Sequence, residues 1–307
     1  MNSKTTPQSS KVDVYARVTD RIVEDLAAGV RPWMKPWSAG HTEGRISRPL
    51  RHNGTPYRGV NVLLLWGEAQ AKGFCSPSWM TYKQAQELGG QVKKGEAGSL
   101  VVYADRYTKS ETNERGEEAE REVAFMKGYT VFNVEQIDGL PAQYVAPPAP
   151  ALPPLPLHQA AEVFFTGTGA TFCHGGSRAF YAPARDFIQL PPAEAFRDAE
   201  SYAGTKAHEL IHWTGHPSRN AREFGLRFGD RAYAFEELVA ELGAAFLCAD
   251  LDITPEVQPD HAAYLAHWLL VLKEDKRAIF SAAAHAQRAA DYLQALQPVS
   301  SAEQLAA

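Results

Sequence analysis

Between residues 146 and 157 the chain reads Ala-Pro-Pro-Ala-Pro-Ala-Leu-Pro-Pro-Leu-Pro-Leu. Six prolines there remove six backbone donors and fix six φ angles, so the stretch is neither helix nor central strand. It reads as a semi-rigid polyproline II spacer between two domains, with a PxxP ligand as the other reading of the same residues. The 307 residues suffice for two domains of ordinary size, placed at 11–145 and 158–297.

The charge differs between the two pieces. Residues 1–97 carry 14 Lys and Arg against 8 Asp and Glu, whereas residues 146–307 carry 12 against 19. The first piece suits a polyanion and the second would repel one. Cys75, Cys173 and Cys248 are odd in number, far apart and outside any CxxC pair. They point to a reducing cytoplasm rather than a disulfide framework or a cysteine zinc knuckle. The polar first ten residues lack the apolar stretch of a secretion signal, and no run is apolar enough to span a membrane.

Before the spacer, Val14, Val18, Ile22 and Leu26 give residues 12–26 helical spacing, and residues 61–71 and 81–88 also read as helices. Residues 99–103 and 123–132 read as strands flanking a long charged hairpin loop at 108–122. The N-terminal piece is therefore α+β. After the spacer, residues 180–190 alternate like one strand that Pro191 and Pro192 stop. Helices are expected over 193–213, 232–249 and 261–296, the last as one helix or two.

The most chemically informative residues are His208-Glu-Leu-Ile-His212. Histidines at i and i+4 leave one helix face a turn apart, so two neutral imidazoles can share one Zn²⁺ with Glu209 beside the open position. Zinc acidifies its water and the carboxylate accepts the proton. A longer HExxHxxGxxH pattern would place a third histidine at 218, where this chain has Ser218. His216 follows the helix-stopping residue Gly215 and precedes Pro217, so it reads as a loop residue near substrate. A second apolar helix carries Glu237 and Glu241 on one face. Buried carboxylates need a cation or donor opposite them. Glu237 fits the third ligand, and Glu241 fits a residue orienting His208 or His212. His216 and Tyr233 are the candidates for stabilising an oxyanion.

In the N-terminal piece, Arg31-Pro-Trp33-Met-Lys35-Pro-Trp37 alternates cations with indoles, followed by Arg58, Lys83, Lys93 and Lys94. Rings stack on unpaired bases and cations track phosphates, so these eight residues are the candidate contacts to single-stranded DNA. Trp66, within Val62-Leu-Leu-Leu-Trp66, reads instead as core.

Several segments in one order resemble the ArdC-type antirestriction proteins of conjugative plasmids. They are residues 19–23, 29–37, 57–61, 92–98, 132–137, 208–216, 236–247 and 268–289. The N-terminal piece is also similar to the corresponding part of TraC-type conjugative primases. The resemblance implies an N-terminal single-stranded-DNA-binding domain, a C-terminal zincin-like metallopeptidase domain, and protection of incoming plasmid DNA from restriction. The family's metal motif falls on His208, Glu209, His212 and Glu237. It implies one Zn²⁺ per chain, with other divalent metals able to fill the site, and an unidentified protein substrate. The competing reading is a DNA-binding decoy whose zinc is only structural; the intact Glu209 favours the peptidase, since a structural site needs no base.

Overall fold

The computed structural model describes residues 13–33, 47–112, 118–145, 157–225, 230–253 and 261–298. Of the proline-rich spacer at 146–157, residues 146–156 lie outside them, as do Lys35 and Trp37, while Leu157 opens a helix.

Helix α1 (Val14–Ala27) starts on Asp13, whose side chain accepts from the Tyr15 N–H, and it buries Val18, Ile22 and Leu26. Strand β1 (Leu50–Arg51) leads into α2 (Val60–Lys72), which begins after Gly59 and ends on left-handed Gly73. Val62 to Trp66 are all buried, so the first turns of α2 form a core rod. Strand β2 (Ser78–Met80) and the short α3 (Tyr82–Glu87) follow, with Thr81 and Gln84 closing a reciprocal capping box.

Strand β3 (Gln91–Val92) precedes the longest strands, β4 (Ser99–Thr112) and β5 (Glu118–Asn133). These two pair antiparallel from Ser99 opposite Val131 to Thr112 opposite Glu118. The long loop expected at 108–122 is thus mostly strand. Charge there reads as loop in sequence, but a two-stranded ribbon satisfies its backbone groups by cross-strand pairing and needs no apolar face to do so. The four-stranded sheet runs β1-β2-β5-β4, with β1 and β2 parallel and the other neighbours antiparallel. Strand β6 (Ile137–Asp138) pairs with β3, and α4 (Ala142–Val145) follows.

The C-terminal half opens with α5 (Leu157–Gly167) and a three-stranded sheet of order β7-β9-β8, from β7 (Phe172–His174), β8 (Phe180–Ala182) and β9 (Phe187–Leu190). The single strand expected over 180–190 is therefore a hairpin. Pro183 cannot donate to a ladder, the Arg185 and Asp186 N–H groups both bond the Ala182 carbonyl, and Asp186 takes φ 51°. The alternation survives on both arms and conceals the turn.

Helices α6 (Ala199–Thr214), α7 (Arg231–Asp250), α8 (His261–Glu274) and α9 (Ala278–Ala295) complete the chain. The last two resolve the choice left open over 261–296 as two helices. Helix α7 is buried without a break from Glu236 to Cys248, packed among α6, α8 and α9.

One hydrophobic cluster runs from Val18 and Trp33 through Leu65 to Phe246 and Leu293, joining the two halves. Trp33 meets Trp268 at 6.2 Å between ring centroids, Trp66 meets Phe246 at 6.0 Å, and Tyr15 meets Phe280 at 4.8 Å. Arg48 crosses the same seam, donating from Nε and Nη2 to Asp250 at 2.9 Å each and from Nη1 to Gln287 at 3.1 Å. Its guanidinium also lies 4.4 Å from the Phe246 ring centroid.

Candidate functional site

Helix α6 is set by its cap: Asp198 accepts the Ser201 N–H at 2.7 Å, satisfying one donor of the first turn. The opposite end carries His208, Glu209 and His212 to the crossing with α7. There the ligand atoms of His208, His212 and Glu237 all lie within 4.8 Å of one another. His208 Nε2 stands 3.5 Å from Glu237 Oε2, and His212 Nε2 stands 3.6 Å from Glu237 Oε1. Two ligands of a tetrahedral zinc are separated by roughly 3.4 Å, so the donor set needs only small adjustment to fit a divalent cation.

The rear nitrogens face two further glutamates. His212 Nδ1 lies 3.1 Å from Glu236 Oε1, and His208 Nδ1 lies 3.9 Å from Glu241 Oε2. A carboxylate behind a ligating histidine fixes its tautomer and ring orientation. Glu241 is thus on the expected side, while Glu236 was not singled out from sequence. Its signal was available: an acid beside Glu237 on an apolar helix must meet a cation. That cation is Arg222, whose Nε and Nη2 donate to Glu236 at 2.9 Å each. Arg222 Nη2 also caps the Ile211 carbonyl, and Nη1 reaches the Thr214 hydroxyl at 2.8 Å.

The electrostatics follow from burial and these pairings. Burial pushes the Glu237 carboxyl up, but His212 and His208 outweigh it and hold the group well below the usual carboxylate range. Burial likewise opposes charge on His212, yet Glu237 and Glu236 raise its pKa to about 10. Burial raises Glu209, against the opposing pull of His208 and His212, and the Tyr181 backbone N–H bonds its carboxylate. Two imidazoles that draw cationic charge, sharing one carboxylate, are a donor set that a divalent metal can neutralise in place of protons.

Strand β8, last in its sheet, packs over α6. Its turn is fastened to the end of that helix. Arg219 donates to Asp186 at 3.0 Å and to the Trp213 carbonyl at 2.7 Å, with its guanidinium 3.8 Å from the Trp213 ring centroid. The Tyr181 hydroxyl donates to Asp186 at 2.8 Å. His216 sits beyond the helix, its Nδ1 2.7 Å from the Ser218 hydroxyl, and is not a member of the His208, His212 and Glu237 cluster. Tyr233 lies half-buried in the first turn of α7.

The residues expected to contact DNA divide into two groups. Trp33 is 0% exposed and donates from Nε1 to Glu241 Oε1 at 3.3 Å, so no base can stack on it in this fold. Arg31, with its side chain 14% exposed, points at the same oxygen from 3.6 Å. Alternating indoles and cations read alike whether they form a stacking platform or an anchor, because tryptophan has both a large apolar body and one donor. Arg58 is exposed and paired with Asp291 of α9. Lys83, 85% exposed, pairs with Glu87 at 3.6 Å. Lys93 donates to the Glu135 carbonyl at 2.9 Å, and Lys94 is exposed. Among the described residues of the N-terminal half, the large exposed rings are instead Tyr82, Tyr103 and Tyr129. Tyr103 stands 6.4 Å from Tyr129 and 6.2 Å from Phe125 on the ribbon, where Lys127 overhangs Phe125.

Comparison with known proteins is consistent along the chain. Residues 12–132 match the N-terminal domain of the anti-restriction factor ArdC, and residues 159–285 match a zincin-like metallopeptidase. The chain is 41% identical over 302 residues to an uncharacterized protein of Sinorhizobium fredii, covering 97% of this chain and 96% of that one. It is 38% identical over 305 residues to DNA primase TraC of Escherichia coli, covering 94% of this chain but 27% of the primase. Its fold matches the metal-free crystal structure of antirestriction protein ArdC from plasmid R388 with a TM-score of 0.76 and 47% identity, over 92% of this chain and 97% of that one. The Mn(II)-bound structure of the same protein matches with a TM-score of 0.74 and 45% identity, over 92% and 98%. A zincin-like fold implies a divalent metal, and among the described residues no helix is long and apolar enough to cross a membrane.

Proposed function

The chain belongs to the ArdC antirestriction family, and from that premise we propose that it is a cytoplasmic protein that binds single-stranded DNA through its N-terminal half and hydrolyses a protein substrate at a zinc centre in its C-terminal half. The observation that carries the peptidase reading is the convergence of His208, His212 and Glu237 from two helices, with Glu209 buried beside them. His208, His212 and Glu237 would hold one Zn²⁺. When bound, such a metal acidifies water and polarises a peptide carbonyl. Glu209, whose burial raises its proton affinity, is placed to take up a proton and return it to the leaving amine. The terminal strand β8 offers its backbone to an extended substrate. A zinc site that is only structural would have no use for Glu209 in this position.

The experiment is metal analysis with a peptidase assay. Wild type should hold about one Zn²⁺ per chain, and His208→Ala, His212→Ala or Glu237→Ala should lose it. Glu209→Gln should retain zinc and lose hydrolysis. If Glu209→Gln loses zinc while remaining folded, Glu209 is a ligand and not the base. If it hydrolyses like wild type, the base lies elsewhere.

The DNA reading is supported by Lys83, Lys93 and Lys94 standing exposed on α3 and the turn after β3. The exposed rings Tyr82, Tyr103 and Tyr129, rather than Trp33, supply the stacking surfaces in this reading.

A further inference from the structure

The two glutamates behind the histidines are held by different parts of the chain. Glu236 is held by Arg222, which precedes α7 and belongs to the same half. Glu241 is approached by residues of the N-terminal half: Trp33 Nε1 at 3.3 Å and Arg31 Nη1 at 3.6 Å, both on Oε1. With Oε1 so engaged, Oε2 is the atom turned to His208 Nδ1, at 3.9 Å. All of these groups are largely buried, with side-chain exposures of 14% for Arg31, 6% for Glu241 and 16% for His208. A charged carboxylate at 6% exposure is costly without donors, and a carboxylate free to rotate would not set an imidazole.

We infer that Trp33 and Arg31 are positioning residues of the metal site: they clamp one oxygen of Glu241 so that the other orients His208, which makes metal affinity depend on the docking of the N-terminal half. This rests on the proposed metal reading and deepens it. The zincin-like half is in this respect incomplete alone. Its His212 is oriented from within, whereas the Glu241 that faces His208 is held by Trp33, 208 positions earlier in sequence. The same two residues whose pattern suggested a DNA contact therefore serve the metal site.

The test uses the full chain and Zn²⁺ competition against a chromophoric chelator. Trp33→Phe removes the indole donor and keeps a ring against Trp268; Arg31→Met removes the cation and keeps the stem. Each should weaken Zn²⁺ binding by roughly three- to tenfold, less than the 10–100-fold typical of removing the carboxylate itself. Each should also shift the visible absorption of the Co²⁺-substituted protein. Trp66→Phe is the matched control. It loses an indole bond to the Ser47 carbonyl (2.9 Å) at the same seam and should leave both readouts unchanged. In a Glu241→Ala background, Trp33→Phe should have no further effect, since the path runs through that carboxylate.

Equal losses for Trp33→Phe and Trp66→Phe would reduce the effect to general destabilisation and overturn the inference. Unchanged Zn²⁺ affinity in Trp33→Phe and Arg31→Met would overturn it too, as would full additivity with Glu241→Ala. A wild-type chain that binds no Zn²⁺ would sink the metal reading itself, and the inference with it.

Discussion

Arg222 has two tasks at the residue scale. It neutralises Glu236 behind His212, and it ties the end of α6 through the Ile211 carbonyl and the Thr214 hydroxyl. The pair with Glu236 is almost fully enclosed. Removing one partner of such a pair leaves an uncompensated buried charge and costs about 3–5 kcal/mol. Arg222→Met should therefore destabilise the fold by about 3 kcal/mol in chemical denaturation and weaken Zn²⁺ binding at the same time. The double variant with Glu236→Gln should recover part of the stability and little of the affinity, because the charge is then gone but so is the orienting carboxylate. A loss in Arg222→Met of under about 0.5 kcal/mol, the size seen at surface positions, would show the pair contributes nothing.

Among elements, α6 depends on its first turn as well as on its last. Asp198 is held below the ordinary carboxylate value, first by the Ser201 N–H and then by the Ser201 hydroxyl and Arg197, against the opposing effect of burial. A carboxyl depressed in the folded state stabilises fully above its unfolded pKa of about 3.9 and loses that contribution as pH falls through the folded value. Asp198→Ala should cost about 1 kcal/mol at neutral pH. Asp198→Asn should keep most of the cap yet show a shallower loss of stability below about pH 4 than wild type, followed by denaturation at each pH. An identical acid profile in Asp198→Asn would remove Asp198 from the account. The β4–β5 ribbon and the turn after β3 carry the DNA prediction. Lys93→Ala with Lys94→Ala should make the log–log salt slope of single-strand binding shallower by roughly 1.4, at about 0.7 per phosphate contact. Tyr103→Ala should weaken binding by about 1–3 kcal/mol with the slope unchanged, because stacking displaces no counterions. A slope that ignores both lysines would put the phosphate track on another surface.

For the whole molecule, the seam is the deciding feature. Trp33, Trp66, Trp268 and Phe246 are buried against partners from the other half, and Arg48 closes the seam polar-to-polar. The intact chain should unfold in one transition, by tryptophan fluorescence and by circular dichroism alike. Fragments 1–145 and 157–307 should each bind a hydrophobic dye, and mixing should suppress that binding. Two well-separated transitions, with fragments that ignore the dye, would show that the halves are independent. Much of this molecule is legible before folding is considered. Four-residue spacing alone puts His208 and His212 on one helix face, and the apolar run around Glu237 and Glu241 alone demands a buried partner for each acid. Periodicity also locates α1, α2 and α7 within a few residues, and the end of α6 though not its start, which lies at Ala199 and not 193, since burial of a helix face is a local property of sequence. What spacing cannot encode is which distant side chain supplies the partner. Arg222 and His212 answer Glu236, and Trp33 answers Glu241 across the seam instead of meeting a base. The pairing of residues 108–112 with 118–122 and the hairpin within 180–190 were hidden for a related reason: cross-strand pairing satisfies a backbone whatever its side chains say. Local patterns declare which groups must be buried or paired; only tertiary packing, by bringing chain segments two hundred residues apart into contact, decides with what.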